Sequence, residues 1–321
     1  MLYSIIVPVY NRPDEIDELL ASLTIQSFTD FEVIIVEDGS SLTCEEIVKG
    51  YEGRLHIRYF YKENSGQGFS RNFGFERAEG EYFVVFDSDC IIPPHYFETV
   101  NKFLSEKPAD CWGGPDRAHP TFTILQKAIS YSMTSPLTTG GIRGDGERLG
   151  KFHPRSFNMG ISREVFEKTG GYKITRMGED IEFSLRIIEQ GFSTALIKDA
   201  WVYHKRRTSL KQFFSQLFFF GRARINIGRF YPGEVKMIHL MPSIFLAGLV
   251  LSVAGAFTLV VLLSQLWKLY AGYAILLFIH ATVREKNPVT ALLAVVTSFT
   301  QLIAYGAGFI TEWLREKGVI R

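Results

Sequence analysis

The sequence predicts a mostly parallel α/β sheet domain followed by a C-terminal transmembrane helical region, and three observations carry that reading. Short β-rich runs alternate with helical patterns through the first 110 residues. Polar and acidic clusters stand at the carboxyl ends of several of those runs, where open α/β sheets hold their ligands. In the C-terminal quarter, three long stretches contain no Asp, Glu, Lys or Arg.

Residues 4–7 form a compact apolar strand ended by Pro8. Pro13 opens a helix, because its missing N–H costs nothing in a first turn, and Ile16, Leu19, Leu20 and Leu23 fall on one face of it. Strands follow at residues 32–36 and 57–61, then a helix around 69–78 and a strand at 82–86. Residues 113–155 are rich in Gly, Pro, Thr and charge and show little periodicity. Within them, residues 138–152 read as a loop that orders over a bound ligand. Gly178 precedes a helix whose Ile181, Leu185 and Ile188 share a face, closed by Gly191. A strand near 194–197 leads into Trp201-Val-Tyr-His204.

From Ser209 to Tyr231 Phe213, Phe214, Phe218, Phe219 and Phe220 mix with Lys211, Arg222, Arg224 and Arg229, which suits a helix lying in a membrane interface. The charge-free stretches then run over 240–267, 269–283 and 287–311. The first and third exceed the roughly 20 residues that a helix needs to cross a bilayer. The second is short and holds His280, so it reads either as a span, a re-entrant helix or a buried core helix. The domains expected are therefore 1–208, an interfacial segment at 209–235 and a membrane region at 236–321 with two to three helices.

Formal charge is +1, which gives no global basic field and no reason to expect nucleic acid. The first residues lack the basic region and long apolar run of a signal peptide, so the first domain is expected in the cytosol. Cys44, Cys90 and Cys111 show no paired metal spacing and suit a reducing compartment.

Four clusters carry chemistry. In Phe86-Asp87-Ser88-Asp89, two carboxylates at the end of a buried strand can reach a divalent cation and its phosphates, or can simply be acidic turn residues. Glu37-Asp38-Gly-Ser places an acid where a base or ribose could donate to it, though Asp-Gly-Ser is also an ordinary turn. Gly66-Gln-Gly68 resembles a phosphate-cradling loop but lacks the third glycine of the dinucleotide fingerprint, which disfavours a Rossmann oxidoreductase. Arg71 beside it is either a diphosphate partner or a surface cation. Gly178-Glu179-Asp180 puts carboxylates in a first helical turn, where the dipole favours the anion needed by a general base and equally favours plain capping.

Taken in order, these pieces resemble the family 2 glycosyltransferases with a GT-A fold. The match runs from Ile5-Ile-Val-Pro-Val-Tyr-Asn-Arg12 through Asp38-Gly-Ser40, Asn64-Ser-Gly-Gln-Gly68 and Arg71-Asn72. It continues with Asp87-Ser-Asp89, Asn158-Met-Gly160, Arg163-Glu-Val-Phe-Glu-Lys-Thr-Gly-Gly171 and Gly178-Glu-Asp-Ile-Glu182, covering about residues 3–205. The ordered set is far more specific than any one motif. It implies a GT-A nucleotide-diphospho-sugar transferase fold, a Rossmann-like mixed sheet, ahead of the membrane helices.

The resemblance also implies roles. Asp38 would read the nucleotide base, and the backbone of Pro8, Tyr10, Asn11 and Arg12 would line that pocket. Gly68, Arg71, Asp87 and Ser88 complete the expected nucleotide-sugar set. Asp89 and Asp87 would hold Mn²⁺ or Mg²⁺, with His204 completing the metal site. Asp180 would deprotonate the acceptor, with Glu179 beside it. Asn158, Arg222 and Arg224 are candidates for an acceptor or its diphosphate. Cys90 stands where many relatives carry another acid. The Gln-x-x-Arg-Trp motif of processive synthases is missing, and Gln216-Leu-Phe-Phe-Phe-Gly-Arg-Ala-Arg224 stands in its place.

The function expected is an inverting, metal-dependent glycosyltransferase of the cytoplasmic membrane. Its expected donor is a nucleotide-diphosphate sugar, a UDP-sugar first, and its acceptor a lipid-linked or membrane-associated glycan or lipid. A nucleotidyltransferase, a catalytically silent nucleotide-sugar-binding membrane scaffold and a processive synthase are the competing readings.

Overall fold

The computed structural model describes residues 1–139, 152–258 and 265–320. The expected closing loop at 138–152 lies outside the described residues except for its ends. In chain order the strands are β1 Tyr3–Val9, β2 Phe31–Asp38, β3 Ile57–Lys62, β4 Tyr82–Phe86 and β5 Cys90–Ile91, then β6 Cys111–Gly113, β7 Asp116–Arg117, β8 Asn158–Ser162, β9 Thr194–Leu196 and β10 Val202–His204. The helices are α1 Pro13–Leu23, α2 Glu45–Lys49, α3 Gln67–Phe75, α4 Tyr96–Glu106, α5 Ile124–Thr134 and α6 Pro136–Thr139. After them come α7 Arg163–Thr169, α8 Glu179–Glu189, α9 Leu210–Phe230, α10 Met241–Thr258, α11 Leu266–Glu285 and α12 Pro288–Glu316.

The chain divides into two compact units. One comprises Met1–His119 and Glu147–Lys205; the other comprises Pro120–Gly146 and Arg206–Arg321.

The first unit is a seven-stranded sheet in the order β3-β2-β1-β4-β8-β6-β9, with a second sheet β5-β10-β7. β1, β2, β3 and β4 run parallel, while β8 is antiparallel to both β4 and β6. Every residue of β2 is buried, as expected of a parallel strand covered on both faces. Alternation divides the strand side chains between two cores. Ile5, Val7, Val33 and Ile35 pack with Ile16, Leu19, Leu20 and Leu23 of α1 and Phe97 of α4. Ile6, Ile34 and Val36 pack with Phe75 of α3, Val165 of α7, and Phe183 and Ile187 of α8. Because β1, β2 and β4 point the same way, their carboxyl ends bring residues 8–12, 38–42 and 87–89 to one edge of the sheet.

The second unit is helical. α5 sits where the sequence shows little periodicity, and its packing explains why. Ala128 and Tyr131 join one apolar cluster with α11 and α12, whereas Ile129 and Met133 join another with α9 and α12. A helix buried on two faces has no single stripe. Its start is signalled by a capping box, Thr123 with Gln126.

Among the described residues, three helices in this unit are long and apolar enough to cross a membrane: Met237–Gly255, Leu266–Glu285 and Pro288–Glu316. His280 does not break α11, since its Nδ1 lies 2.7 Å from the Tyr131 hydroxyl. The segment 120–146 falls with these helices, an assignment that a linear boundary at residue 208 does not anticipate.

Candidate active site

The site is built at the carboxyl end of β4. Asp87 and Asp89 leave that strand on either side of Ser88, and β10 lies antiparallel to β5 so that His204 is paired with Cys90. Alternation along β10 buries Val202 and turns His204 toward the carboxylates. The His204 Nε2 atom is 3.0 Å from Asp89 Oδ1 and 4.0 Å from Asp87 Oδ2. Asp89 is buried, and its other oxygen accepts from the Arg12 guanidinium at 3.0 Å. Burial acts against the Arg12 charge, but Asp89 and Glu15 outweigh it and hold the guanidinium above its ordinary pKa.

Ligand atoms of Asp89, Cys90 and His204 lie within 4.8 Å of one another. Cys90 fits a hard cation poorly. Burial, with Asp89 and Asp87 nearby, pushes its thiol well above the ordinary value, and its Sγ donates to the Phe157 carbonyl at 3.4 Å. The donors that fit are the carboxylates of Asp89 and Asp87 and the His204 imidazole. Carboxylates suit divalent cations such as Mg²⁺ and Mn²⁺, and imidazole is a common ligand of transition metals.

Arg71 lies beneath these groups, not at their mouth. It is 1% exposed, 2.8 Å from Asp87 and 3.5 Å from Glu179, with its guanidinium over the Tyr172 ring. Burial disfavours its charge, and the charged neighbours more than restore it. Arg71 thus ties the strand that carries Asp87 to the helix that carries Glu179.

α8 opens on Met177 (φ 63°) and Gly178 (φ 98°). The two acids that follow have different surroundings. Glu179 is buried, accepts from the Gln67 amide and faces Arg71. Burial and the neighbouring Asp180 raise its pKa, and Arg71 offsets part of the rise. Asp180 is half-buried. Its Oδ1 accepts from the Ile181 backbone N–H at 2.8 Å and its Oδ2 from Arg155 at 3.2 Å. Sequence reasoning missed Arg155, because nothing in a lone arginine 25 residues upstream marks it as the partner of this helix start.

Just beyond the end of β1, Tyr10 is 53% exposed. Asn11 adopts φ 53°, and its side-chain oxygen accepts from the Ser41 and Leu42 backbone N–H groups, both at 2.9 Å. Asparagine tolerates that conformation and knits the ends of β1 and β2 together. Pro8 sits half-buried just before, and Ser88 is buried between the two acids. Asp38 is buried, with both oxygens engaged: Lys62 at 2.7 Å and Ser65 N at 2.9 Å on one, Gly66 N at 2.9 Å on the other. Burial alone would raise its pKa, but the bonds from Lys62 and Ser65 hold it below the ordinary carboxylate value. Gly68 is a packing glycine. Its N–H donates to Thr175 Oγ1 at 3.2 Å, and a Cβ there would meet the Ile174 carbonyl at 2.6 Å.

The three acceptor candidates have surroundings of their own. Asn158 is fully buried, accepting from Tyr96 at 2.5 Å and donating to the Ala200 carbonyl at 2.8 Å, so its amide is spent inside the sheet. Arg222 and Arg224 belong to the helical unit, where Arg222 pairs with Glu312 at 2.8 Å and Arg224 is half-buried.

The profile of glycosyl transferase family 2 matches residues 4–170. An uncharacterised glycosyltransferase of Rickettsia felis is 37% identical over 103 residues, which are 32% of this chain and 17% of that protein. The chain therefore spans about one sixth of that relative's length. The mannosyltransferase PcManGT from Pyrobaculum calidifontis, solved with GDP-Man and Mn²⁺, superposes with a TM-score of 0.62 at 18% identity, covering 98% of this chain and 87% of that one. S. aureus TarS 1-349, solved with UDP-GlcNAc, gives 0.51 at 20% identity over 99% and 92%. At these identities the likeness is one of fold.

Proposed function

Because the chain belongs to glycosyl transferase family 2, we propose that it moves a sugar from a nucleoside-diphosphate sugar to an acceptor held at a membrane, by a single inverting displacement. The observation that carries this reading is the convergence of Asp87, Asp89 and His204 at the end of β4, with the half-buried Asp180 opening α8 in the same unit. The solved relatives of like fold hold GDP-Man with Mn²⁺ and UDP-GlcNAc, which supports a nucleotide-sugar donor here.

The donor's base is expected against Tyr10 and Asn11, with Asp38 fixing the loop of residues 62–66 beside it. Ser88 and Gly68 shape the floor through their backbone. Asp89, Asp87 and His204 would hold Mn²⁺ or Mg²⁺, which when bound supplies positive charge beside the donor diphosphate. Arg12 positions Asp89, and Arg71 positions Asp87 and Glu179. Asp180 takes the proton of the acceptor hydroxyl as its oxygen bonds to the anomeric carbon. The bond from that carbon to the phosphate oxygen breaks on the opposite face, and its electron pair leaves with the nucleoside diphosphate. Arg155 holds Asp180 in place until the acceptor displaces that contact.

The apolar helices support a lipid-linked or membrane-associated acceptor, and the basic residues before α10 support a catalytic domain on the cytosolic face of the cytoplasmic membrane. The test is turnover by the purified full-length protein with a panel of nucleotide sugars, Mn²⁺ and a bacterial lipid extract. Consumption of one donor, lost in EDTA and giving a product of inverted anomeric configuration, is the expected result. A retained configuration would overturn the single displacement. Failure of every nucleotide to bind would overturn the whole reading.

A further inference from the structure

All three apolar helices pass by length and composition, yet their contacts treat them differently. α10 and α11 are each 11% buried over their most apolar windows, whereas α12 is 44% buried. α10 and α11 form an antiparallel hairpin: Tyr270 donates to the Phe245 carbonyl at 2.8 Å, and Phe245 also meets Tyr273. These pairs put the start of α11 toward the far end of the hairpin. The start of α10 and the last turns of α11 therefore lie together at its base.

Four described residues of α12, Ala291, Ala294, Phe299 and Gly306, meet the hairpin toward that base. Ala291 and Ala294 pack on Leu277 and Ala281 in the last turns of α11. Phe299 meets Phe245 and Tyr273, with ring centroids at 5.3 and 5.8 Å. A Cβ on Gly306 would lie 2.4 Å from the carbonyl of Pro242, in the first turn of α10. From residue 291 to 306 a helix advances roughly 22 Å. A helix running beside the hairpin would by then have reached the level of its apex, but α12 has only passed from the end of α11 to the start of α10. Its far end is tied to the same region. Glu312 is buried and accepts from Arg222 at 2.8 Å and Arg229 at 2.9 Å, both on α9, which precedes the hairpin.

We propose that only α10 and α11 cross the bilayer, and that α12 lies along the lipid interface on the side where α10 enters and α11 leaves. The interaction surface is the outward stripe Val289, Leu292 and Val296, which is exposed at helical spacing and suited to acyl chains just below the headgroups. The opposite face packs on α5 and α9, where Thr297 donates to the Ala128 carbonyl at 2.9 Å.

Charge agrees independently. Lys211, Arg222, Arg224, Arg229 and Lys236 precede α10, Arg284 and Lys286 follow α11, and Arg315 and Lys317 close α12. With α12 in the interface all of them face one side, as positive residues near spans prefer for the cytosol. Trp267 and Lys268 mark the far end of the hairpin, an aromatic anchor beside a lysine whose stem can reach the distal headgroups. Three spans would instead put Arg315 and Lys317 across the membrane from Arg284 and Lys286.

The test is labelling of cysteine variants by a membrane-impermeant maleimide in right-side-out and inverted vesicles. Lys211→Cys marks the entry side, Gln265→Cys the apex and Val319→Cys the end of the chain; Cys44, Cys90 and Cys111 are buried and give a low background. Val319→Cys is expected to label from the same face as Lys211→Cys, and Gln265→Cys from the other. Labelling of Val319→Cys with Gln265→Cys would establish a third span and overturn the proposal. Labelling of all three from one face would reduce the hairpin to a re-entrant pair and overturn it equally. Reaction of Val319→Cys only after detergent is added would bury that end in lipid, with the same consequence.

Discussion

At the scale of single residues, the site rests on how neighbours divide the work between adjacent acids. Asp180→Asn removes the proposed base and keeps its shape, so transfer is expected to fall by about 10²–10⁴-fold with donor binding unchanged, read as kcat against donor KM. Glu179 behaves differently. Its pKa is raised by burial and by Asp180, so the folded protein binds its proton more tightly than the unfolded chain does. That contribution is full at acid pH and is lost as pH rises through the folded value. Glu179→Gln is therefore expected to gain thermal stability relative to wild type as pH goes from about 4 to 7, measured as the difference in Tm at each pH. A difference that shrinks over that range would contradict the assignment. Asp87 and Asp89 are legible in the sequence because they stand one residue apart at the end of an apolar strand, within an ordered set of motifs. Arg155, Lys62 and Tyr172 are not, because each acts through a partner that only the fold brings near, and Arg71 is legible as a motif while its burial is not.

At the scale of elements, β1, β2, β3 and β4 are readable from their apolar runs, and α1 from one clean stripe and a proline at its start. Several short strands do not show. β5, β7 and β10 have two or three residues each, too few for alternation, yet they deliver His204. The opening of α8 can be tested against a second glycine of the same kind. Gly170 (φ 72°) ends α7 with nothing near its missing Cβ, and Gly178 (φ 98°) starts α8 next to Glu179 and Asp180. Alanine at either is expected to cost about 1–2 kcal/mol in a denaturant melt, since both sit in the left-handed region. Only Gly178→Ala is expected to lower transfer as well, because it alone moves the acids. Equal loss of activity in both variants would show that stability, not placement, limits the enzyme.

At the scale of the molecule, the chain order misleads about the units. The catalytic segment from Met1 is interrupted by residues 120–146, which fold with the C-terminal helices. Ending the chain at residue 205 would strip the partners from Ala128, Ile129, Tyr131 and Met133 and expose them to water. That fragment is expected to aggregate, and one in which a short linker also replaces 120–146 is expected to be monomeric by size-exclusion chromatography. The opposite order of solubility would contradict the division into units.

If Asp180 performs the proton transfer while Asp87, Asp89 and His204 hold the donor's cation, binding and chemistry can be separated. The measurement that tests this most directly compares Mn²⁺-dependent nucleotide binding and sugar transfer in wild type, Asp180→Asn and Asp89→Asn. Asp180→Asn is expected to bind like wild type with transfer nearly abolished, and Asp89→Asn to lose both. Transfer that survives in Asp180→Asn, or binding that falls there as far as it does in Asp89→Asn, would contradict that division of roles.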